Sequence, residues 1–281
     1  MNLIYPCRSI LCAPAYMDSF YEKAIEGEAD IIHYDLEDSV PQRLKKRARE
    51  SLKVSLSTNQ VLPTAVRINC LSTSEGIRDM LFIRDNFLTP SIIILPKINS
   101  PFEIELVDRL LDEIESPSNL FLVFETVRGF KSIGSIVTCS NRVKGLIFGV
   151  ADLAAELGTR LDCPLVQSLK FDLAIAALSN DLLAIDSPCF KIDDMSQLQH
   201  EIEQAKSIGF SGKIAIHPTQ ISLINSLFKP LQEDVQQAQE LVEAFKQNTT
   251  LNVARFKGGM IGPPFLKNAN KLLSRYSCFL K

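Results

Sequence analysis

The chain has no tryptophan, only three histidines and only twelve glycines in 281 residues. The missing tryptophan excludes no class of function, but the other scarcities do. His33, His200 and His217 are scattered along the chain, so no zinc triad is spelled out. The seven cysteines (Cys7, Cys12, Cys70, Cys139, Cys163, Cys189 and Cys278) are odd in number, widely spaced and never arranged as CxxC. That pattern excludes a disulfide framework or a zinc ribbon and predicts reduced thiols in a cytoplasmic protein. The turn after the first apolar run reads Pro14-Ala15-Tyr16, without glycine, and neither a P-loop nor a GxSxG elbow occurs. The glycine-rich phosphate turn of a dinucleotide fold therefore has no counterpart. No apolar run reaches spanning length, and the stretch from Met1 to Leu11, with Pro6 and Arg8, does not read as a signal peptide. Neither sign of charge dominates: 30 basic against 33 acidic residues leave a net charge of −3. No general attraction to nucleic acid or to an anionic membrane follows from that balance.

What is present points to an α/β chain. Hydrophobic residues at 46% and charged residues at 22% are ordinary for a globular protein that buries a large core without cross-links. Eight short apolar runs read as strands: Ser9–Ala13, Ile31–Asp35, Thr64–Asn69, Ser91–Leu95, Leu120–Phe124, Gly145–Phe148, Cys189–Ile192 and Lys213–Ile216. Most are continuous rather than alternating, as strands buried on both faces are. Helical sequence lies between them. Asp18–Gly27 ends in glycine, Pro101–Ile114 places Ile104, Val107, Leu110 and Leu111 on one face, and Ser196–Ile208 stops at Gly209. Strands alternating with helices imply a parallel sheet, and eight units in about 215 residues fit a (β/α)8 TIM barrel better than an open doubly wound sheet. The barrel is expected over residues 1–230. Residues 231–281 read as a C-terminal helical extension: a helix over Glu233–Asn248, a break at Gly258, Gly259, Gly262, Pro263 and Pro264, and a last helix over Pro264–Tyr276. It is expected to pack on the barrel or to cross onto a neighbouring subunit as a lid.

Barrels of this kind carry their active sites at the C-terminal ends of the strands. The polar residues just after each run are therefore the informative ones. They are Asp35, Glu37 and Asp38 after the second run, Arg67 and Asn69 closing the third, Lys97 after the fourth, Glu125, Thr126 and Arg128 after the fifth, Asp152 after the sixth, and His217 after the eighth. Glu125 and Asp152, from neighbouring strands, make a sparse oxygen site of the kind that suits Mg2+, which accepts one or two carboxylates and keeps its waters. Each residue also has a plainer reading. Asp152 caps the next helix; Arg67 pairs with Glu37 or Asp38; Lys97 is a solvated loop residue. His217, before Pro218, reads as a buried, hydrogen-bonded imidazole rather than a catalyst. Arg8 falls at the opposite end of the barrel, and the run Arg43–Arg49 reads as a solvated helix face.

At these residues the chain resembles the citrate lyase beta-subunit and malyl-CoA lyase family of aldolases, within the phosphoenolpyruvate–pyruvate barrel superfamily. The stretches that carry the likeness are Arg8–Pro14, Tyr34–Val40, Val66–Asn69, Ile94–Ile98, Phe124–Gly129, Phe148–Gly158 and Gly209–Ile221. Each is short, but together, in this order, they are specific and span nearly the whole chain. The resemblance implies a homotrimer or a multiple of trimers, and Mg2+ held by Glu125 and Asp152, with Glu37 and Asp38 steadying the metal's waters. It implies that Arg67 binds the substrate oxygen that changes charge, and Lys97 joins Arg67 and Glu125 in the expected substrate-binding set. The implied partners are a small 2-oxo acid and an acyl-CoA, in the cleavage or formation of a citryl-, malyl- or citramalyl-type 3-hydroxyacyl-CoA. Two stretches depart from the family. Gly262 stands where its lyases place a lid aspartate that moves a proton, and Ala15, Tyr16 and Met17 replace a glycine and a basic residue. Two alternatives follow: a CoA-independent aldolase acting on a hydroxy-oxo acid, or a non-catalytic protein that binds an oxo acid or acyl-CoA.

Overall fold

The computed structural model describes residues 6–17, 20–58, 61–247 and 253–277. Contacts divide the chain into two compact units, one over Cys7–Ser226 and the other formed mainly from the residues after Ser226.

The first unit is a closed parallel barrel. Its strands are β1 (Ser9–Pro14), β2 (Ile31–Asp35), β3 (Thr64–Arg67), β4 (Ile92–Leu95), β5 (Asn119–Phe124), β6 (Val143–Phe148), β7 (Leu183–Asp186) and β8 (Gly212–Ala215). Each pairs with the next, and β8 pairs back to β1. Buried residues run without interruption through β2, β4, β7 and β8, because helices cover the outside while side chains fill the inside. Among the described residues no helix is long and apolar enough to cross a membrane. The six described cysteines are free thiols, and Cys278 lies outside the described residues.

The expected TIM barrel is thus what forms, but one strand was sought in the wrong place. Cys189–Ile192 is loop, and the seventh strand is Leu183–Asp186. The preceding helix, Pro164–Ser179, is so apolar that its run continues into the strand and hides the boundary. The break is a turn in which Asp181 adopts a left-handed backbone at φ 54°. At the end of β7, Asp186 binds Lys170 at 2.6 Å and Lys213 at 2.7 Å, and Lys213 also binds Glu201 at 2.9 Å. Burial alone would raise the Asp186 pKa, but the two lysines more than offset it and hold the carboxyl below its usual range.

Helix Phe20–Glu26 matches the first expected helix from its third residue on; Asp18 and Ser19 lie outside the described residues. The basic run after β2 is not a solvated face throughout. In helix Lys45–Ser57, Lys45 and Arg49 are buried. The Lys45 ammonium donates to the carbonyls of Leu36 and Glu37 and to Asn69 Oδ1, each at 2.7 Å. Arg49 binds Glu75 and Asp79 at 2.8 and 2.7 Å. Arg8 pairs with Asp30 at 2.7 Å, just before β1 and β2 begin.

In the second unit, helices Gln232–Gln247 and Pro263–Tyr276 flank an antiparallel hairpin, β9 (Ala254–Phe256) and β10 (Gly259–Ile261). Asn248, the expected end of the first of these helices, lies outside the described residues. The hairpin replaces the expected irregular break. Its two-residue turn, Lys257-Gly258, has positive φ at both positions (46° and 82°), the geometry of a primed turn that favours glycine.

Candidate active site

The site is built from the C-terminal ends of β2 to β6. Asp35 ends β2, fully buried, and receives Arg67 Nε and Nη2 from the end of β3, both at 2.8 Å. It also accepts the backbone N–H of Glu37 at 2.9 Å and of Ser39 at 3.0 Å. Burial would raise the Asp35 pKa, but the guanidinium overrides it and holds the carboxyl well below the usual range. Asp35 is therefore a fixed anion that orients Arg67, and Arg67 Nη1 lies 3.2 Å from Glu37 Oε2. Lys45 fixes the loop from below by binding its carbonyls.

Lys97, after β4, ties the carboxylates together. Its Nζ donates to Glu37 Oε1 at 2.7 Å and stands 3.8 Å from Asp38 and 3.9 Å from Asp152. Its backbone N–H donates to Glu125 Oε1 at 2.9 Å. To do both, Lys97 takes a left-handed backbone, φ 54°, at a cost of roughly 1 kcal/mol for a residue with a Cβ. Burial disfavours the charged amine, yet Glu37 and the carboxylates near it raise its pKa.

Glu125 ends β5 and is 3% exposed. Burial, then the charges of Glu37 and Asp152, push its pKa up to about 8 against the pull of Arg67 and Lys97. The carboxyl has space only because residue 149 is glycine: a Cβ there would stand 2.4 Å from Glu125 Cβ and 2.6 Å from Oε2. Gly149 is also the N-cap of helix Val150–Glu156, whose first turn presents Asp152. Asp152 does not cap that helix, so the plainer reading of that residue falls away.

These groups open on a cavity of about 400 Å³ lined by Asp35, Asp38, Arg67, Glu125 and Asp152. Its walls include Ile94, Val123, Ile147 and Ile214, and its lining also includes His33 and Cys12. The structure brings together Glu37, Asp38, Arg67, Lys97, Glu125 and Asp152, all named from sequence. Lys97 is not a solvated loop residue but the hub of these pairs. Arg67 has Asp35 as its first partner, with Glu37 second. His217 is set apart from this group and is half-buried rather than buried; its Nδ1 lies 2.8 Å from Thr219 Oγ1. Sequence reading missed the roles of Asp35, Gly149, Lys45 and His33. Period-two alternation along β2 was the available signal for His33, which lies two residues before Asp35.

Mg2+ fits this donor set. Glu37, Asp38, Glu125 and Asp152 repel one another around a single lysine, and the buried Glu125 bears that repulsion as a raised pKa. Among the described residues no three His, Cys, Asp or Glu side chains converge as a metal cage. A cation that takes two carboxylates and completes its shell with water and substrate oxygens suits such a site, whereas one that needs a protein-only cage does not.

The family model described as HpcH/HpaI aldolase/citrate lyase matches residues 8–218, and one described as a carbon–carbon bond lyase of the TIM-barrel fold matches residues 165–279. A (3S)-malyl-CoA thioesterase from Cereibacter sphaeroides is 30% identical, over 86% of this chain and 84% of its own. The mitochondrial citramalyl-CoA lyase of Homo sapiens is 28% identical, over 96% and 85%. The structure of CitE from Mycobacterium tuberculosis with magnesium, acetoacetate and coenzyme A superposes with a TM-score of 0.79 at 26% identity, covering 98% of this chain and all of that one.

Proposed function

Because the chain belongs to the HpcH/HpaI aldolase/citrate lyase family, we propose that it is a Mg2+-dependent carbon–carbon lyase. In this reading it cleaves or forms a 3-hydroxyacyl-CoA of the citryl, malyl or citramalyl type, with a small 2-oxo acid as co-product. The observation that carries it is the meeting of Arg67, Glu125 and Asp152 on one cavity, with Lys97 and Glu37 ion-paired to them. The CoA half is supported by the names of the two relatives and by the coenzyme A in the mycobacterial complex.

Glu125 and Asp152 would hold the ion, with Glu37 and Asp38 oriented toward its waters. Bound Mg2+ supplies Lewis-acid polarisation of the oxo acid's oxygens. The rest falls to the chain's own groups. Arg67 is locked by Asp35 and Glu37 while guanidinium N–H groups remain for a ligand, so a fixed positive charge faces the oxygen that alternates between hydroxyl and carbonyl. Lys97 donates to Glu37, opposing the burial that raises its pKa, and aims Glu125 through its backbone N–H. The apolar walls keep water from the reacting carbon.

Gly262 supports a second reading, CoA-independent aldol cleavage or binding without turnover. A Cβ at Gly262 would meet nothing nearer than Pro264 Cδ at 3.7 Å, so an aspartate fits there. Purified protein with Mg2+, offered CoA esters and CoA-free hydroxy-oxo acids with and without EDTA, separates the readings. EDTA-sensitive release of a 2-oxo acid from a CoA ester is the expected result. Release only from CoA-free substrates selects the aldolase. Silence throughout, unrelieved by Gly262→Asp, rejects turnover.

The same proposal includes a homotrimer or multiple of trimers in the cytoplasm. The exposed apolar stripe Phe171, Ile175 and Leu178 on helix Pro164–Ser179 supports an assembly. Light scattering that returns a monomer rejects it.

A further inference from the structure

His33 lines the cavity, and the proposed mechanism gives it no task. It is 3% exposed and has no hydrogen-bond partner at Nδ1 or Nε2. It stands on β2 two residues below Asp35, beside Cys12 of β1 and Ala65 of β3 in the strand register. Ile94, Val123, Ile147 and Ile214 share the lining with it. Buried polar atoms in folded proteins are otherwise paired, so an unpaired ring on a cavity wall points to a ligand or to water. Burial, reinforced by the nearby Arg67, pushes its pKa down to about 3. The ring is therefore neutral near pH 7 and offers one N–H and one lone pair.

We propose that His33 is a specificity-determining residue whose ring hydrogen-bonds an uncharged oxygen on the substituent of the 2-oxo acid. The preferred acid then carries a hydroxyl or carbonyl beyond its 2-oxo carbon, in place of the hydrogen, methyl or carboxymethyl group of the malyl, citramalyl and citryl types, so the inference narrows the proposed 3-hydroxyacyl-CoA to an oxygenated variant of those types. This rests on the reading that the cavity receives a 2-oxo acid. In that reading the acid's carboxylate and 2-oxygen face Arg67 and the carboxylate rim. The breaking carbon–carbon bond leads to the mouth, where a coenzyme-sized acyl group has room that a 400 Å³ cavity lacks. The remaining substituent has only the floor. A second carboxylate there would be buried without a cation of its own, since the N–H groups that Asp35 and Glu37 leave on Arg67 face the acid's first carboxylate and 2-oxygen. An alkyl group would leave the ring unpaired; a neutral oxygen does neither. The Cys12 thiol, pushed up to about 12 by burial and by the Asp35 charge, stays protonated and adds a weak donor alongside.

Calorimetric binding of glyoxylate, pyruvate, oxaloacetate and 3-hydroxypyruvate, each with Mg2+, tests this on the wild type, His33→Leu and His33→Gln. The wild type is expected to bind 3-hydroxypyruvate about tenfold or more tightly than pyruvate. His33→Leu should abolish or invert that ratio, and His33→Gln, which keeps a donor and an acceptor, should retain part of it. Equal ratios in wild type and His33→Leu overturn the proposal, because the ring then meets only water. A wild type that binds pyruvate as tightly as 3-hydroxypyruvate overturns it without any variant. Binding is read without turnover, so the two readings fail separately. Selective binding without cleavage of any CoA ester sinks the lyase reading alone, and cleavage with unaltered selectivity in His33→Leu sinks this one alone. Absence of binding by every oxo acid sinks both.

Discussion

Two clusters of charge, each built on a buried carboxylate at the end of a barrel strand, differ in their balance. Beyond β7, Lys170 and Lys213 meet Asp186 and Glu201, two cations against two anions with contacts of 2.6 to 2.9 Å. Around β2 to β6, five carboxylates (Asp35, Glu37, Asp38, Glu125 and Asp152) share the ion pairs of Arg67 and Lys97, while the nearby Lys45 is spent on backbone carbonyls and Asn69. The first cluster is complete in itself and fastens a strand to its neighbours. The second is complete only with a further cation, and its deficit is concentrated on Glu125. A balanced buried cluster reads as architecture and an unbalanced one as a site.

The widest separation between the two should come from neutralising the excess. Glu125→Gln, or EDTA on the wild type, is expected to lower kcat/KM by about a thousandfold or more. The melting temperature of Glu125→Gln should hold or rise, because a repelled buried carboxylate has gone. Activity that survives this substitution breaks the comparison. The mirror experiment is Asp186→Asn, which removes the counter-charge of Lys170 and leaves Lys213 with Glu201 alone. Urea denaturation should show a loss of about 3–5 kcal/mol, while kcat/KM per folded molecule stays level. A loss of activity beyond the loss of folded protein would move the balanced cluster into the site.

A smaller effect concerns pH. The folded His33 pKa is depressed to about 3 from its ordinary 6.5. Between those values the unfolded chain binds a proton that the folded chain refuses, so stability rises with pH across the window. It is complete above about pH 6.5 and lost progressively as pH falls toward 3. From pH 7 to pH 5 this one group should remove about 2 kcal/mol. The unfolding free energy of the wild type, taken relative to His33→Leu, should fall by that amount between the two pH values in urea denaturation; an unchanged difference would show that the ring is not buried neutral.

Much of this was legible in the sequence because parallel strands announce themselves as short apolar runs and barrel chemistry follows them by one or two residues. Seven strands and the six charged residues of the rim were found in that way. The failures have physical causes. β7 was lost because helix Pro164–Ser179 is nearly as apolar as the strand after it. Lys45 and Arg49 were misjudged because a basic run says nothing about which carbonyls or carboxylates lie beneath it. The Arg67–Asp35 pair and the room that Gly149 leaves for Glu125 arise from neighbouring strands, across distances that linear spacing does not encode.

Gly149 also bears on how the two proposed ligands are carried. The backbone that begins the Asp152 helix lies so close to Glu125 that not even a methyl group fits between them. Main chain is thus the wall against which Glu125 rests, and any side chain at residue 149 would displace Glu125 or the start of the helix that carries Asp152.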